Sequence, residues 1–399
     1  MKQLKIPAVF MRGGTSNAIV FHQKDLPADR KLWDEIFLAA IGSPDPYGRQ
    51  LDGMGGGISS LSKVCVVGPS SRPDADIDYT FAQVQVKEAK VDYSGNCGNM
   101  SSAMGPFAVD EGVIEATGKE ALVRVHNTNT KKVIWSRFAL DDGLSAVDGN
   151  LAIPGVSGTG APVRLEFRDP GGATTGKLLP TGNVVDTLDV PGYGKFKASL
   201  VDAANATCFL NAADLGIRGT EMPEELDRNV ELLKKLAAIR IAASVAMGIG
   251  RTPEEAAEKR TVPFVGFVSG PQDAATLAGE KIEAGNIDLT ARMISNGQPH
   301  RALPLTVSLC TAVAARIEGS LVNQAARSPN DPAAEIRIAM PSGILTVAAS
   351  VYRKDGAWHA EQGAFYRTQR RLFEGQVSVR ASRVPKLIAA HESRKRDAA

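Results

Sequence analysis

Along most of this chain apolar residues come in short runs, or alternate with polar ones, and Gly, Pro, Asn or Asp interrupts them every few residues. Successive side chains of a strand point to opposite faces, so this pattern predicts strands more often than helices. Val9-Phe10-Met11, Ala18-Ile19-Val20-Phe21 and Lys63-Val64-Cys65-Val66-Val67 carry the β-branched and aromatic residues that strands favour, and residues 77–86 alternate most clearly. Further strands are predicted over 121–126, 132–138, 163–167, 195–201, 262–268, 335–340, 344–351 and 358–366. Apolar positions recurring at three and four residues predict a helix over 31–41 and a longer one over 223–247, stopped by Gly248.

Two other helices, about 98–111 and 304–318, are made of small and apolar residues almost all round, which predicts that both are buried. Each follows a loop rich in Gly, Asn or Pro. Each ends alike, in Asp110-Glu111-Gly112-Val113-Ile114 and in Ile317-Glu318-Gly319-Ser320-Leu321-Val322. This faint repeat predicts an α+β fold of two related halves, each a set of strands wrapped round one central helix. At 399 residues the chain is also too long for one typical core. The Gly/Pro-rich stretch from Pro170 to Gly192 is the best boundary. We assign 1–188 to an N-terminal domain completed by segment 370–385, 189–369 to a C-terminal domain, and 386–399 to a basic tail. Clefts between domains are favoured ligand sites, and helix starts aimed into one would hold a carboxylate.

Composition narrows the class. With 43% hydrophobic and 23% charged residues, the chain reads as globular rather than disordered. Forty-six Lys and Arg against 44 Asp and Glu give a formal charge of +2, which offers no general attraction to nucleic acid or anionic membrane. The local excess at Arg380, Arg383, Lys386, Arg394, Lys395 and Arg396 lacks interleaved aromatics and reads as a solvated tail. Cys65, Cys97, Cys208 and Cys310 are widely spaced and form neither Cys-x-x-Cys nor a Cys/His pattern, so a reduced cytoplasmic protein without a metal site is expected. The start, Met1 to Pro7, shows no apolar signal core, and no run approaches the roughly 20 apolar residues of a membrane span.

Chemistry concentrates in a few segments. Ser94-Gly95-Asn96-Cys97-Gly98-Asn99-Met100 places a thiol where a glycine-rich loop becomes a buried helix. Free N–H groups there attract negative charge, so the site can hold a carboxylate and favour a thiolate. Arg12-Gly13-Gly14-Thr15-Ser16-Asn17 is either an anion-binding turn or a plain hairpin turn. Asp52-Gly53-Met54-Gly55-Gly56-Gly57 is not a nucleotide loop, because no GK[ST] follows and no strand–GxGxxG–helix unit forms. Lys63 opens an apolar strand. It is a desolvated base if turned inward, and otherwise an ordinary exposed lysine. His300, beside Arg301, precedes the second buried helix and is placed to contact an anion. His22, His126, His359 and His391 show no metal-ligand spacing, and no GxSxG occurs. Cys310, well inside its helix, reads as a core thiol.

Together, Met11-Arg12-Gly13-Gly14-Thr15-Ser16, Gly42-Ser43-Pro44-Asp45, Asp52-Gly53-Met54-Gly55-Gly56, Ser62-Lys63-Val64, Gly95-Asn96-Cys97-Gly98-Asn99, Pro180-Thr181-Gly182-Asn183 and Arg367-Thr368-Gln369-Arg370-Arg371-Leu372-Phe373-Glu374-Gly375 resemble the PrpF family, in order and over nearly the whole chain. The resemblance implies a diaminopimelate-epimerase-like fold with the active site between two similar domains. It also implies a cofactor-independent isomerase of an unsaturated di- or tricarboxylic acid, 2-methylaconitate cis-trans isomerase-like, needing no metal, nucleotide or pyridoxal phosphate. It makes Lys63 and Cys97 the catalytic pair, with Lys63 the principal base and Cys97 either the partner acid or a positioning group. Substrate-binding candidates are Thr15, Ser16, Asn17, Asn96, Gly98, Asn99, Asn183, His300 and Thr306. Asn17 departs from the pattern, since many members have lysine there, which implies a substrate of different charge or a differently placed acid group. The alternatives are a 4-oxalomesaconate-type keto-enol tautomerase and a non-catalytic carboxylate-binding protein. An amino-acid racemase of this fold would use two facing cysteines, and Cys310 is placed wrongly for that. The expected partner is a small carboxylate, with no nucleic acid or membrane; a homodimer stays open.

Overall fold

The computed structural model describes residues 3–93, 95–259, 262–295, 297–327, 331 and 334–390. The last nine residues of the expected basic tail, His391 among them, lie outside the described residues. The chain divides into two compact units, one of 1–152, 156–165 and 367–399, the other of 153–155 and 166–366.

In the first unit seven strands lie side by side in the order Gln369–Arg380, Gln3–Gly13, Ser16–His22, Lys63–Pro69, Ile77–Val84, Glu120–Asn127 and Lys132–Asp141. Two pairings are parallel, Ser16–His22 with Lys63–Pro69 and Ile77–Val84 with Glu120–Asn127. Alternation sorts the side chains. Ile19, Phe21, Val64, Val66, Ala82 and Val84 pack against the outer helix Trp33–Ile41. The other face curls round the helix Gly98–Asp110, which touches strands from both ends of the order. That helix is buried from Met100 to Val109, so no polar stripe was needed. Gly105 is required for its fit: a Cβ there would lie 2.6 Å from Ser136 Oγ.

The second unit repeats the plan with strands Asp186–Val190, Gly194–Ala203, Asn205–Asn211, Phe264–Ser269, Leu289–Ser295, Ile336–Met340, Gly343–Lys354 and Ala357–Arg367 in that order. Its inner helix, Leu305–Arg316, is buried from Val307 onward, and its outer helix, Val230–Ala246, packs Leu232, Leu236, Ile239 and Ala243 on the sheet. The α+β, diaminopimelate-epimerase-like expectation, strands round a central helix twice over, is met.

Two expectations change. The helix over 223–247 is two helices, Pro223–Arg228 and Val230–Ala246, because Asn229 leaves helical geometry (ψ 70°) and its side chain caps the second by accepting from Leu232 N. Residues 166–188, assigned to the first domain, fall in the second unit. Their turn is tied to the strand Gly194–Ala203: Thr174 and Thr175 donate backbone N–H groups to the Asp202 carboxylate, and residues 186–190 pair along that strand. The glycine cluster 52–57 is packing, not a phosphate loop. Met54 N and Gly55 N donate to Ala40 and Ile41 at the end of the outer helix, where a Cβ on Gly53 would meet Gly42 N at 2.2 Å. No helix among the described residues is long and apolar enough to cross a membrane.

Candidate active site

Lys63 is the first residue of its strand, flanked in register by Ala18 on one side and Gln83 on the other. Odd-numbered residues of that strand face the inner helix, so Lys63 is turned inward and only 8% exposed. Its Nζ donates to Gln83 Oε1 at 2.5 Å and lies 5.1 Å from the centre of the Phe81 ring. Its fixed partner is thus an uncharged amide.

Cys97 is the N-cap of the inner helix, in extended backbone (φ −104°, ψ 100°), and its Sγ accepts from Met100 N at 3.5 Å. Ser101 N begins the helical ladder on Cys97 O, so helix geometry leaves the N–H groups of Gly98 and Asn99 pointing outward without intrahelical acceptors. Burial, and next the neighbouring Cys97, push the Cys65 thiol far above the ordinary range, while Lys63 pulls it down. Lys63 and Cys97 thus both act electrostatically on the Cys65 thiol. Cys65 stays an inert thiol there, leaving Cys97, half-buried, as the accessible one.

The turn Gly13-Gly14 clasps the same helix start. Gly14 has φ +52°, and a Cβ on it would lie 2.3 Å from Asn99 Oδ1, so the position requires glycine twice over. The Asn99 side chain bridges this turn, donating to Thr15 Oγ1 at 3.1 Å and accepting from Arg367 Nε at 3.1 Å. Arg367 is 7% exposed, and burial lowers its pKa to about 10, so it remains a cation at neutral pH. Arg12 reaches Gly14 O and Thr368 O, which fixes the turn from beneath.

The sequence candidates thus separate into groups. Cys97, Gly98, Asn99 and Thr15 are drawn together at the helix start, and Lys63 opens the strand paired with the same hairpin, whereas the Asn96 amide oxygen is taken by Ser101 and Asn127 within the scaffold. Ser16 is buried, and Asn17 pairs in register with Arg12 on the hairpin. In the second unit Asn183 donates to Asp186 in an exposed turn, Thr306 accepts from Asn205 Nδ2 at 2.7 Å, and His300 lies against the Phe264 ring with its pKa lowered by burial. Arg301, expected beside His300 as an anion contact, is instead paired with Glu224 at 2.7 Å. Arg367 and Gln83 were missed. The string Arg367-Thr368-Gln369 carried the first signal, and strand register opposite Lys63 carried the second. Among the described residues no group of three or more His, Cys, Asp and Glu could hold a metal ion.

Known proteins place this geometry. Residues 3–380 match the family model described as PrpF protein. The chain is 42% identical to 3-methylitaconate isomerase of Eubacterium barkeri over 96% of its length and 99% of that protein. It is 38% identical to 2-methyl-aconitate isomerase of Cupriavidus necator, over 94% and 98%. The crystal structure of a methylitaconate-delta-isomerase, also 42% identical, superposes with a TM-score of 0.88 over 96% of this chain and 98% of that one. Agreement of family model, sequence and structure across both units leads to one conclusion: the chain belongs to the PrpF family.

Proposed function

We propose that this protein is an isomerase that moves a proton, and with it a double bond, within an unsaturated di- or tricarboxylic acid, using its own side chains and no cofactor. The observation that carries the reading is the inward Lys63, held by an uncharged amide close to a helix start that presents two N–H groups and a buried arginine. Lys63 takes a proton from the carbon next to the double bond. The resulting allylic anion spreads onto a carboxylate, whose oxygens are met by the amides of Gly98 and Asn99 and by the positive end of the helix. Arg367, rather than a residue at position 17, supplies the cation beside that turn. The proton returns at the far carbon from Lys63 or from the Cys97 thiol; return after rotation about the former double bond changes cis to trans. The names of the relatives support substrates of the methylitaconate and methylaconitate type.

The test is proton NMR in deuterated water with methylitaconate, 2-methylaconitate and 4-oxalomesaconate in separate tubes. Exchange and double-bond migration with either of the first two is expected. Turnover of the oxo-acid alone would make the enzyme a keto-enol tautomerase, and no exchange with any acid would leave a carboxylate-binding protein.

A further inference from the structure

The Lys63 ammonium is not left to find its own place. Gln83 sits directly across the antiparallel pair from it, and the two hydrogens of the Gln83 amide are both committed, to Ser59 O and Ser62 O at 3.0 Å each. With Nε2 so anchored, the amide oxygen is left to accept from Lys63. Ser62, the residue before Lys63, is fixed in turn. It is fully buried, and its Oγ lies 2.7 Å from Gln50 Oε1 and 2.7 Å from Ile58 O. Gln50 closes the chain of contacts: its amide oxygen also accepts from Gly57 N at 2.8 Å, and its nitrogen donates to Ser43 Oγ at 2.9 Å. Loop 43–58, strand start 62–63 and strand 77–84 are thus joined through two glutamine amides.

We propose that Gln83 is the positioning residue of Lys63, an oriented neutral acceptor that keeps Nζ in one place whether or not it carries the extra proton. An amine and an ammonium both have an N–H to give, so the contact survives proton transfer. With one N–H held by Gln83 and the Phe81 ring to one side, the amine lone pair is directed elsewhere. A carboxylate at position 83 would act differently, binding the ammonium and opposing its loss of a proton. This inference rests on the reading of Lys63 as the base.

The experiment uses the full-length enzyme with Gln83→Glu and Gln83→Leu. The pH dependence of kcat/KM is measured with whichever acid the wild type turns over. Separately, the pH dependence of acetylation at Lys63 by acetic anhydride is read by peptide mass spectrometry. For Gln83→Glu both profiles are expected to move upward by about one to three pH units. For Gln83→Leu, kcat is expected to fall roughly 100-fold with KM nearly unchanged, as a misplaced base requires. If Gln83 merely ties strands together, both variants lose thermal stability and neither profile moves. An unmoved acetylation profile in Gln83→Glu, or wild-type kcat in a folded Gln83→Leu, would overturn the proposal. If acetylation at Lys63 moves but the activity profile does not, Gln83 keeps its role and Lys63 loses its own as base.

Discussion

The two inner helices share a plan and differ at their first turns. Gly98–Asp110 is capped by a cysteine side chain, enters from a glycine loop and is clasped by the Gly13-Gly14 turn and Arg367. Leu305–Arg316 is preceded by Pro304 without a side-chain cap, and its Thr306 is already bound to Asn205. Its thiol, Cys310, lies a turn and a half further in, donates to Val201 O at 3.5 Å and is pushed up to about 12 by burial. The far ends differ as well. Glu111 is held by His22 at 2.9 Å and Arg371 at 2.6 Å, whereas its counterpart Glu318 is exposed. A repeated fold has therefore kept reactive polar groups on one copy and packing on the other.

The strongest way to break this asymmetry is Lys63→Met, which keeps the length of the buried side chain but removes the proposed base. Turnover is expected to fall roughly 100- to 10,000-fold with the circular dichroism spectrum unchanged, and near-normal activity would move the chemistry elsewhere. Next in size is the pair of thiols. Cys97→Ser keeps a capping oxygen and is expected to lose about 100-fold in kcat if the thiol carries the second proton. Cys310→Ala should leave kcat alone and cost about 1–2 kcal/mol in denaturant unfolding. Equal kinetic losses from both would mean that the two helices contribute alike.

The smallest effect concerns the far ends. Burial alone would raise the Glu111 carboxyl, but the hydrogen bonds from His22 and Arg371 outweigh it and hold it below the ordinary glutamate value. Its stabilising contribution is accordingly full above roughly pH 4.3, the unfolded value, and is lost as pH falls through the lowered folded value. Glu111→Gln should flatten the loss of melting temperature below about pH 4.3. Glu318→Gln should leave that curve as it is.

Much of this was legible from residue order. The two buried helices were visible because they lack a polar face, and Cys97 and Lys63 because each stands at the start of an apolar element. Asn229 was harder to read, since its neighbours keep the three-to-four period and only its capping geometry divides the helix. Arg367 was hidden by distance, 268 residues from the Asn99 side chain it bonds. Gln83 carries no chemistry by itself and became visible only through the register that sets it opposite Lys63. The strand Asn205–Asn211 was overlooked because its apolar run is short, and periodicity alone does not tell such a run from a buried helix segment.

One pairing has a temporal side. The strand Gln3–Gly13 is bonded along its length to Gln369–Arg380, and Arg367 comes just before that partner. A ribosome makes the strand Gln3–Gly13, and later all of the second unit, before the partner emerges. At a synthesis rate of about 5–20 residues per second, the wait is on the order of 20–70 seconds. The second unit can fold as it appears, but the first, with the proposed catalytic groups, closes last. Prematurely terminated chains would then hold Lys63 and Cys97 without the arginine and edge strand that complete their surroundings, and so would be catalytically silent.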